Sequence, residues 1–306
     1  MENIDIDLLK EITGTENGEF EGAYNIRKNG QGVERKITEN VDIITKKEVS
    51  GIDIYVKPNT KFEFIHIPVI ITESGINDVV YNDFYIGENS KVTIVAGCGI
   101  HNDHHKDSQH DGIHRFFLEK GAKVKYIEKH YGEGDGTGKR ILNPVTEVYL
   151  KDGSTLEMES VQIKGVDSTI RTTKGVLEEN SSFIVTEKIM THGTQFAKTE
   201  FEVELNGENS STKVTSRSVA TEESKQEFCS KVIGNTKCFG HVECDAIIKD
   251  TAKVVAIPEI VANDVEANLI HEAAIGKIAG EQLIKLMTLG LTEKEAEEAI
   301  INGFLK

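Results

Sequence analysis

Tryptophan is absent from these 306 residues, and proline and cysteine occur only four times each. Four cysteines without dense, regular spacing exclude a disulfide framework and point to reduced thiols in a reducing compartment. No apolar run approaches the ~20 residues of a membrane span. The opening MENIDIDLLKEI is acidic and amphipathic, where a secretory leader would be basic and then continuously apolar. A cytoplasmic protein with no membrane partner is expected. Lys and Arg number 35 against 51 Asp and Glu, a formal charge of −16. That balance argues against a nucleic-acid partner, which would need clustered cations to displace counterions. The negative surplus favours solubility through self-repulsion, or a field attracting ferrous iron or a basic partner. No G-x4-G-K-[ST] loop occurs, so the chain is not expected to hydrolyse nucleotide. A β-helix enzyme acting on polysaccharide is disfavoured too, since its cleft needs aromatic platforms and aromatics make up 6%.

What the chain has in plenty is Thr, Val, Ile and Gly, the composition of many short strands. An apolar stretch, a polar turn, a small residue and an alternating stretch recur, as in YIGENSKVTIV, FLEKGAKVKYI and YLKDGSTLEME. The small residues read as Thr60, Ser90, Ala122, Ser154, Ser182 and Ser211, at steps of 28 to 32 residues. Alternation at Val92 and Ile94, then Val124 and Tyr126, marks strands with one buried face. Asn or Gly in each turn supplies the positive φ of a sharp reversal. Units that cannot bury a face alone must stack, which predicts a mainly β fold: a right-handed parallel β-helix, or β-solenoid. A β-sandwich has no reason to keep a period near 30 residues.

Both ends change character. Asp5 to Ile12 predicts a short helix capping the solenoid. Beyond Asn263 the pattern turns helical: Leu283, Leu286 and Met287 share a face, Gly290 stops that helix, Thr292 and Glu295 form a capping box, and Gly303 ends the last helix. The expected division is 1–40 as N-terminal helical or cap segment, 41–262 as β-helix core, and 263–306 as a C-terminal helical hairpin. HNDHHKDSQHDGIH, His101 to His114, holds five of the ten histidines and interrupts the repeat, which predicts an exposed loop. Metal capture and a metallohydrolase-like cluster are its functional readings. His101, His104, His105 and His110 lack helical i, i+4 placement, so a solvated polar loop is the plainer account.

Cys244 in VECDAII, with His271 and Glu272 opening HEAAIGKIAGEQLIKLMTLGL, brings a thiol, an imidazole and a carboxylate into one C-terminal segment, a donor set that can hold iron. Cys238, His241 and Cys244 have C-x2-H-x2-C spacing, which suits zinc. On one strand, however, 238 and 244 share a face while 241 points away. Cys229 reads as structural. Cys98 lies between Gly97 and Gly99, which suit either an exposed thiol or a turn.

GHVECDAII, IPEI and LIHEAAIGKIAGEQLIKLMTLGLTEKEAEEAI, together with VTIVAGCGIH and IHRFFLEKGAKVKYIEKHYGEG, resemble the scaffold proteins of Suf-type iron–sulfur cluster assembly, the SufB/SufD family. The resemblance spans roughly 91 to 305 and implies the same β-helix. It implies Cys244 and Glu272 as ligands of a transient iron–sulfur cluster. His271 stands at the position of a functional histidine of the SufD-type paralogue. Cys98 would accept sulfur that then passes along the solenoid interior, with His114, in GIHRF, either lowering its pKa or packing. A SufC-like ABC ATPase would dock on the C-terminal helices, Leu283 to Leu305, although Leu289 stands where the family commonly has Arg. A cysteine desulfurase or other sulfur donor is implied, and a homodimer or SufB/SufD-type heterodimer. On this reading the chain is a scaffold, not an enzyme. A ligand-poor structural partner of the ATPase is the alternative.

Overall fold

The computed structural model describes residues 3–15 and 20–306. In chain order its elements are α1 (Asn3–Thr13), β1 (Ala23–Lys28), β2 (Gln31–Lys36), β3 (Val41–Thr45), β4 (Gly51–Val56), β5 (Lys61–Ile71), β6 (Asn77–Ile86) and β7 (Lys91–His101). Next come β8 (Ser108–Leu118), β9 (Lys123–Glu133), β10 (Arg140–Leu142), β11 (Val145–Leu150), β12 (Thr155–Lys164), β13 (Ser168–Leu177), β14 (Ser182–Thr191) and β15 (Phe196–Leu205). The chain ends with β16 (Ser211–Ala220), β17 (Lys225–Gly234), β18 (Phe239–Ile248), β19 (Lys253–Ala262), β20 (Asn268–Gly276), α2 (Gly280–Thr288) and α3 (Glu293–Phe304).

Successive strands alternate between two sheets. One is ordered β2-β1-β5-β7-β9-β12-β14-β16-β18-β20, and the other β19-β17-β15-β13-β10-β8-β6-β4-β3, with β11 between β8 and β13. Apart from the β1–β2 and β3–β4 hairpins, pairing is parallel and each strand lies on the one a coil earlier, as Lys123 lies on Lys91 and Thr155 on Lys123. This is the expected β-solenoid. Asn59, Asn89, Asn180 and Asn209 hold positive φ in the turns, as do Gly121 and Gly153.

Two small residues of the repeat lie one position earlier than the spacing suggested. Ser181 and Ser210 are buried, whereas Ser182 and Ser211 begin strands at half-exposed positions. Ser90, Ser154 and Ser181 each turn the hydroxyl onto the carbonyl three residues back, Gly87, Lys151 and Glu178. The consecutive serines hid the slip, and in a strand one residue exchanges the faces.

The ends also differ from expectation. Helix α1 lies across the outer face of β5, β7 and β9 rather than over the solenoid's end. Leu8 and Ile12 sit on Gly99 and Gly97; a Cβ at Gly97 would stand 2.8 Å from Ile12 Cβ. The two glycines therefore make room for a helix, and neither forms a turn nor exposes Cys98. The helical part of 1–40 stops at Thr13, because β1 and β2 already belong to a sheet. The outermost strand β2, QGVERK, is exposed throughout, and its charges guard an open edge. At the other end β20 continues the sheet through Gly276, so the helical pattern starts at Gly280 rather than after Asn263. Thr292 and Glu295 form the capping box, and α3 runs through Gly303. Residues 101–114 are largely sheet: only 102–107 connect β7 to β8, and His110 and His114 are buried. Asp and His facing an enclosed polar interior look, in sequence, like a solvent face.

Candidate functional site

The ladder divides the solenoid interior lengthwise. Inward positions early in one sheet's strands stack as Val92, Val124, Leu156 and Phe183, and beside them as Ile94, Tyr126, Met158, Val185, Val214 and Val242. Two rungs further the stack reads Ala96, Glu128, Ser160, Glu187, Ser216 and Cys244, and beyond it Cys98, His130 and Gln162. The half near the tight turns is thus largely apolar and the opposite half polar. Cys98 on β7 and Cys244 on β18 stand near the two ends of that polar half. Five strand spacings separate their rungs, about 24 Å at ~4.8 Å each.

The polar half is hydrogen-bonded along its length. Asp78 Oδ2 lies 3.1 Å from His110 Nδ1. His114 contacts Asn82 Nδ2 through Nε2 at 3.2 Å and the Tyr126 hydroxyl through Nδ1 at 2.7 Å. Tyr126 donates to Glu128 Oε1 at 2.9 Å, and Arg171 binds the other Glu128 oxygen. Arg171 Nε is 3.5 Å from Glu187 Oε1, and Glu187 accepts from Thr199 at 2.8 Å and Ser216 at 2.9 Å. Ser216 is the ladder neighbour of Cys244.

Electrostatics follow from enclosure. Burial drives His114 and His130 down to about 4, against the opposing charge of Glu128, so both imidazoles are neutral at pH 7. Burial also penalises the Glu128 carboxylate, but Arg171, then His130 and His114, hold it well below the usual range. The Cys98 thiol is 2% exposed and raised well above its ordinary value, by burial first and then by Asp78 and Glu128. Cys244, equally buried, is pushed up to about 12 by burial, with Glu187 and Asp245 adding. Both cysteines rest as thiols and need a proton acceptor to become nucleophiles.

A small chamber adjoins Cys98. It measures about 20 Å³ and is lined by Cys98, His110, Gly112, His114, Glu128 and His130, among others. A Cβ at Gly112 would lie 3.2 Å from His114 Nε2 and 3.4 Å from His110 Nε2, so the glycine leaves the space between the imidazoles. The volume suits one water-sized particle.

At the C-terminal end the sheet separates the expected ligands. His271 pairs with Val242 and Ala273 with Cys244, so Cys244 and His271 both face inward, on adjacent strands and two residues apart in register. Neither ring nitrogen of His271 has a hydrogen-bond partner, and burial, then His241, lower its pKa. Glu272 pairs with Glu243 on the outer face, where its Oε2 is 3.6 Å from His241 Nε2. Cys238 is inward and buried and His241 outward, so C-x2-H-x2-C does not converge. Among the described residues no group of three or more His, Cys, Asp or Glu has metal-holding geometry. His101, the last residue of β7, is held by Asp103 at 2.8 Å and Glu133 at 3.1 Å. Cys229 is half-buried. Glu128, Arg171 and Glu187 were not expected from sequence; aligning the repeat units on their ladder positions would have put the two glutamates in one file with Cys244.

The family model for the SUF system FeS cluster assembly SufBD core domain matches residues 69–304. The chain belongs to the SufBD family. An iron-sulfur cluster assembly SufBD family protein of Methanocaldococcus jannaschii is 31% identical over 86% of this chain and 84% of its own length. One from Methanothermobacter thermautotrophicus is 27% identical over 84% of this chain but only 63% of its own length. The iron-sulfur cluster assembly protein SufB of Bacillus subtilis is 33% identical over 32% of this chain and 22% of its own length. Within this SufBD chain, no described helix is long and apolar enough to cross a membrane.

Proposed function

We propose that this SufBD protein is a scaffold on which iron–sulfur clusters are built, with iron and sulfide as its cargo. Cys98 accepts sulfane sulfur, the polar half of the solenoid carries sulfur onward, and Cys244 and His271 hold the growing cluster from the inner face at the C-terminal end, with Glu272, on the outer face of β20, contributing once a second chain docks there. The observation that carries this reading is the file of hydrogen-bonded and ion-paired side chains, His114 to Ser216, that lies between two buried thiols of one interior. Direct thiol exchange cannot cross about 24 Å, so on this reading an added thiol reductant supplies two electrons, Cys98 is restored as a thiol, and the sulfur moves along the polar file as diffusible sulfide. His271, with two open nitrogens, supplies a harder and more exchangeable ligand than a fourth thiolate.

The C-terminal end suits assembly with other chains. Its edge strands β19 and β20 expose Ile257, Ile260, Ile270 and Ile275, and an open edge with apolar side chains invites a second copy or a paralogue. Such a partner would bring further ligands toward Glu272 and His241, which face away from Cys244. No residue of α2 is buried, and Ile284, Met287 and Leu289 are exposed; this supports 280–306 as the docking surface for an ABC-type ATPase. The sulfur donor would be a cysteine desulfurase or an equivalent persulfide source, in the reducing cytoplasm. Anaerobic reconstitution with ferrous iron and sulfide tests the site. Wild type is expected to gain visible iron–sulfur absorption, and Cys244→Ala and Glu272→Ala to lose most of it while folding and association persist. Full colour in Cys244→Ala would refute the assignment, and a colourless wild type would favour a structural partner of the ATPase.

A further inference from the structure

At the N-terminal end of the solenoid a second cavity, about 170 Å³, opens beside the Cys98 chamber. The two share Ile67 and Val69 as walls. Arg27 on its rim pairs in the ladder with Val69, which pairs with Cys98, so the rim stands two strands from the thiol. Asn82 lines the larger cavity and contacts His114 of the smaller one at 3.2 Å.

The lining charge runs against that of the whole chain. Arg27, Arg35 and Lys46 line the cavity, and among the described residues no carboxylate does. Arg27 and Lys46 lean on carboxylates behind the wall, Asp78 and the pair Asp53 and Asp83. Among the described residues Arg35 donates only to neutral acceptors, Asn25 Oδ1 at 2.9 Å and Ile43 O at 3.1 Å. Ser50 and Thr45 add hydroxyls. The volume is below the ~300 Å³ at which ordinary small-molecule clefts begin.

We infer that this vestibule binds a small anionic sulfane-sulfur donor, a low-molecular-weight persulfide or thiosulfate, and presents its sulfur to Cys98. The inference rests on the reading of Cys98 as the sulfur acceptor. The Cys98 proton passes to a neighbouring neutral imidazole, and the thiolate attacks the sulfane sulfur. The donor's S–S bond breaks, its thiolate leaves with the bonding pair, and Cys98 carries the persulfide; from thiosulfate the leaving group is sulfite. No external oxidant or reductant is needed. Val69 and Ile67 must swing aside for the transfer.

Gly32 provides the test. It lines the vestibule from the exposed edge strand β2, and a Cβ there meets nothing within 4 Å, so Gly32→Glu adds a negative charge without disturbing the fold. Thiosulfate binding to full-length Cys98→Ser, followed by calorimetry, separates the anion site from the chemistry. Binding is expected, weakened about tenfold by Gly32→Glu and retained in Gly32→Lys. In the protein with Cys98 intact, peptide mass spectrometry follows the gain of one sulfur from cysteine persulfide or from thiosulfate in separate arms. The same tenfold loss of loading rate is expected in Gly32→Glu, and the faster arm names the donor. No thiosulfate binding, equal loading in wild type and Gly32→Glu, or loading only from a persulfidated desulfurase would each overturn the vestibule. Binding that behaves as expected with no loading of Cys98 from any donor would instead overturn the acceptor reading and leave the anion site standing.

Discussion

Acidification should weaken this fold well before its carboxylates titrate, because two of the buried imidazoles are held neutral. His114 and His130 have folded values of about 4 against 6.5 for a free imidazole. Between those limits the unfolded chain binds protons that the folded chain refuses, so stability rises with pH and falls as pH drops through 6.5. From pH 7.5 to pH 5 each imidazole then removes about 2 kcal/mol, about 4 kcal/mol for the pair. His66, lowered by burial, acts in the same direction. His101, raised against its own partial desolvation by Asp103 and Glu133, opposes it, but its pairs reach the surface and screening makes them weak. Asp78 and Glu128 are depressed by Arg27 and Arg171 against burial, and their stabilisation is lost only below the usual carboxylate range. The measurement is urea unfolding at a series of pH values for wild type and the His114→Gln, His130→Gln double variant. The double variant should lose about 4 kcal/mol less than wild type on going from pH 7.5 to 5. Parallel pH profiles for the two proteins would refute the claim that the polar half excludes protons.

Other perturbations probe separate parts of the molecule. Gly97→Val would push side-chain atoms into Ile12, whose carbonyl oxygen would already lie 2.9 Å from a Cβ there. It should cost about 1–3 kcal/mol and speed hydrogen exchange at Leu8 to Ile12, whereas unchanged protection would mean α1 does not depend on the bare strand. Under native conditions Cys229 should alkylate with iodoacetamide well before the buried Cys98 and Cys244, as peptide mapping would reveal; Cys98 reacting first would contradict its enclosure. Thr292→Ala removes the capping box of α3 and should cost about 1 kcal/mol, read as lost helical circular dichroism without a change in the strand signal.

Much of the fold was legible because the turns repeat a chemical signature. Asn or Gly at positive φ followed by a small buried residue marks each coil at Asn59–Thr60, Asn89–Ser90, Gly121–Ala122 and Gly153–Ser154. Where two serines follow the asparagine, at 181–182 and 210–211, spacing alone could not choose between them. Alternation also reports that two faces differ without saying which is enclosed. For aliphatic strands the answer is obvious; for His110, Gly112 and His114 it is not, because a polar interior and a solvent face look alike in sequence. The cysteines were legible as candidates, but their environment depended on partners 20 to 57 residues away, Asp78 and Glu128 for Cys98 and Glu187 for Cys244. The opposite facing of His271 and Glu272 follows directly from strand alternation once β20 is known to continue past Asn263.

The cluster Glu128–Arg171–Glu187 allows structure and function to be told apart. All three side chains are about 95% enclosed or more. Removing the cation alone in Arg171→Met leaves two buried carboxylates facing each other, and a broken buried pair of this kind costs about 3–5 kcal/mol. Replacing all three with apolar residues of similar volume, Glu128→Leu, Arg171→Met and Glu187→Leu, removes the desolvation penalty together with the attraction, and such swaps are neutral or stabilising by about 1–4 kcal/mol. The apolar half of the same interior shows that this solenoid packs well without charges. Denaturant unfolding of wild type, single and triple variants should therefore rank the single variant far below the other two. If the triple variant is as unstable as the single one, the charges are structural. If it is stable and still passes sulfur from Cys98 to Cys244 at the wild-type rate, the polar file is not the route. A stable triple variant that loads Cys98 but never supplies Cys244 would tie the cost of these buried charges to transport.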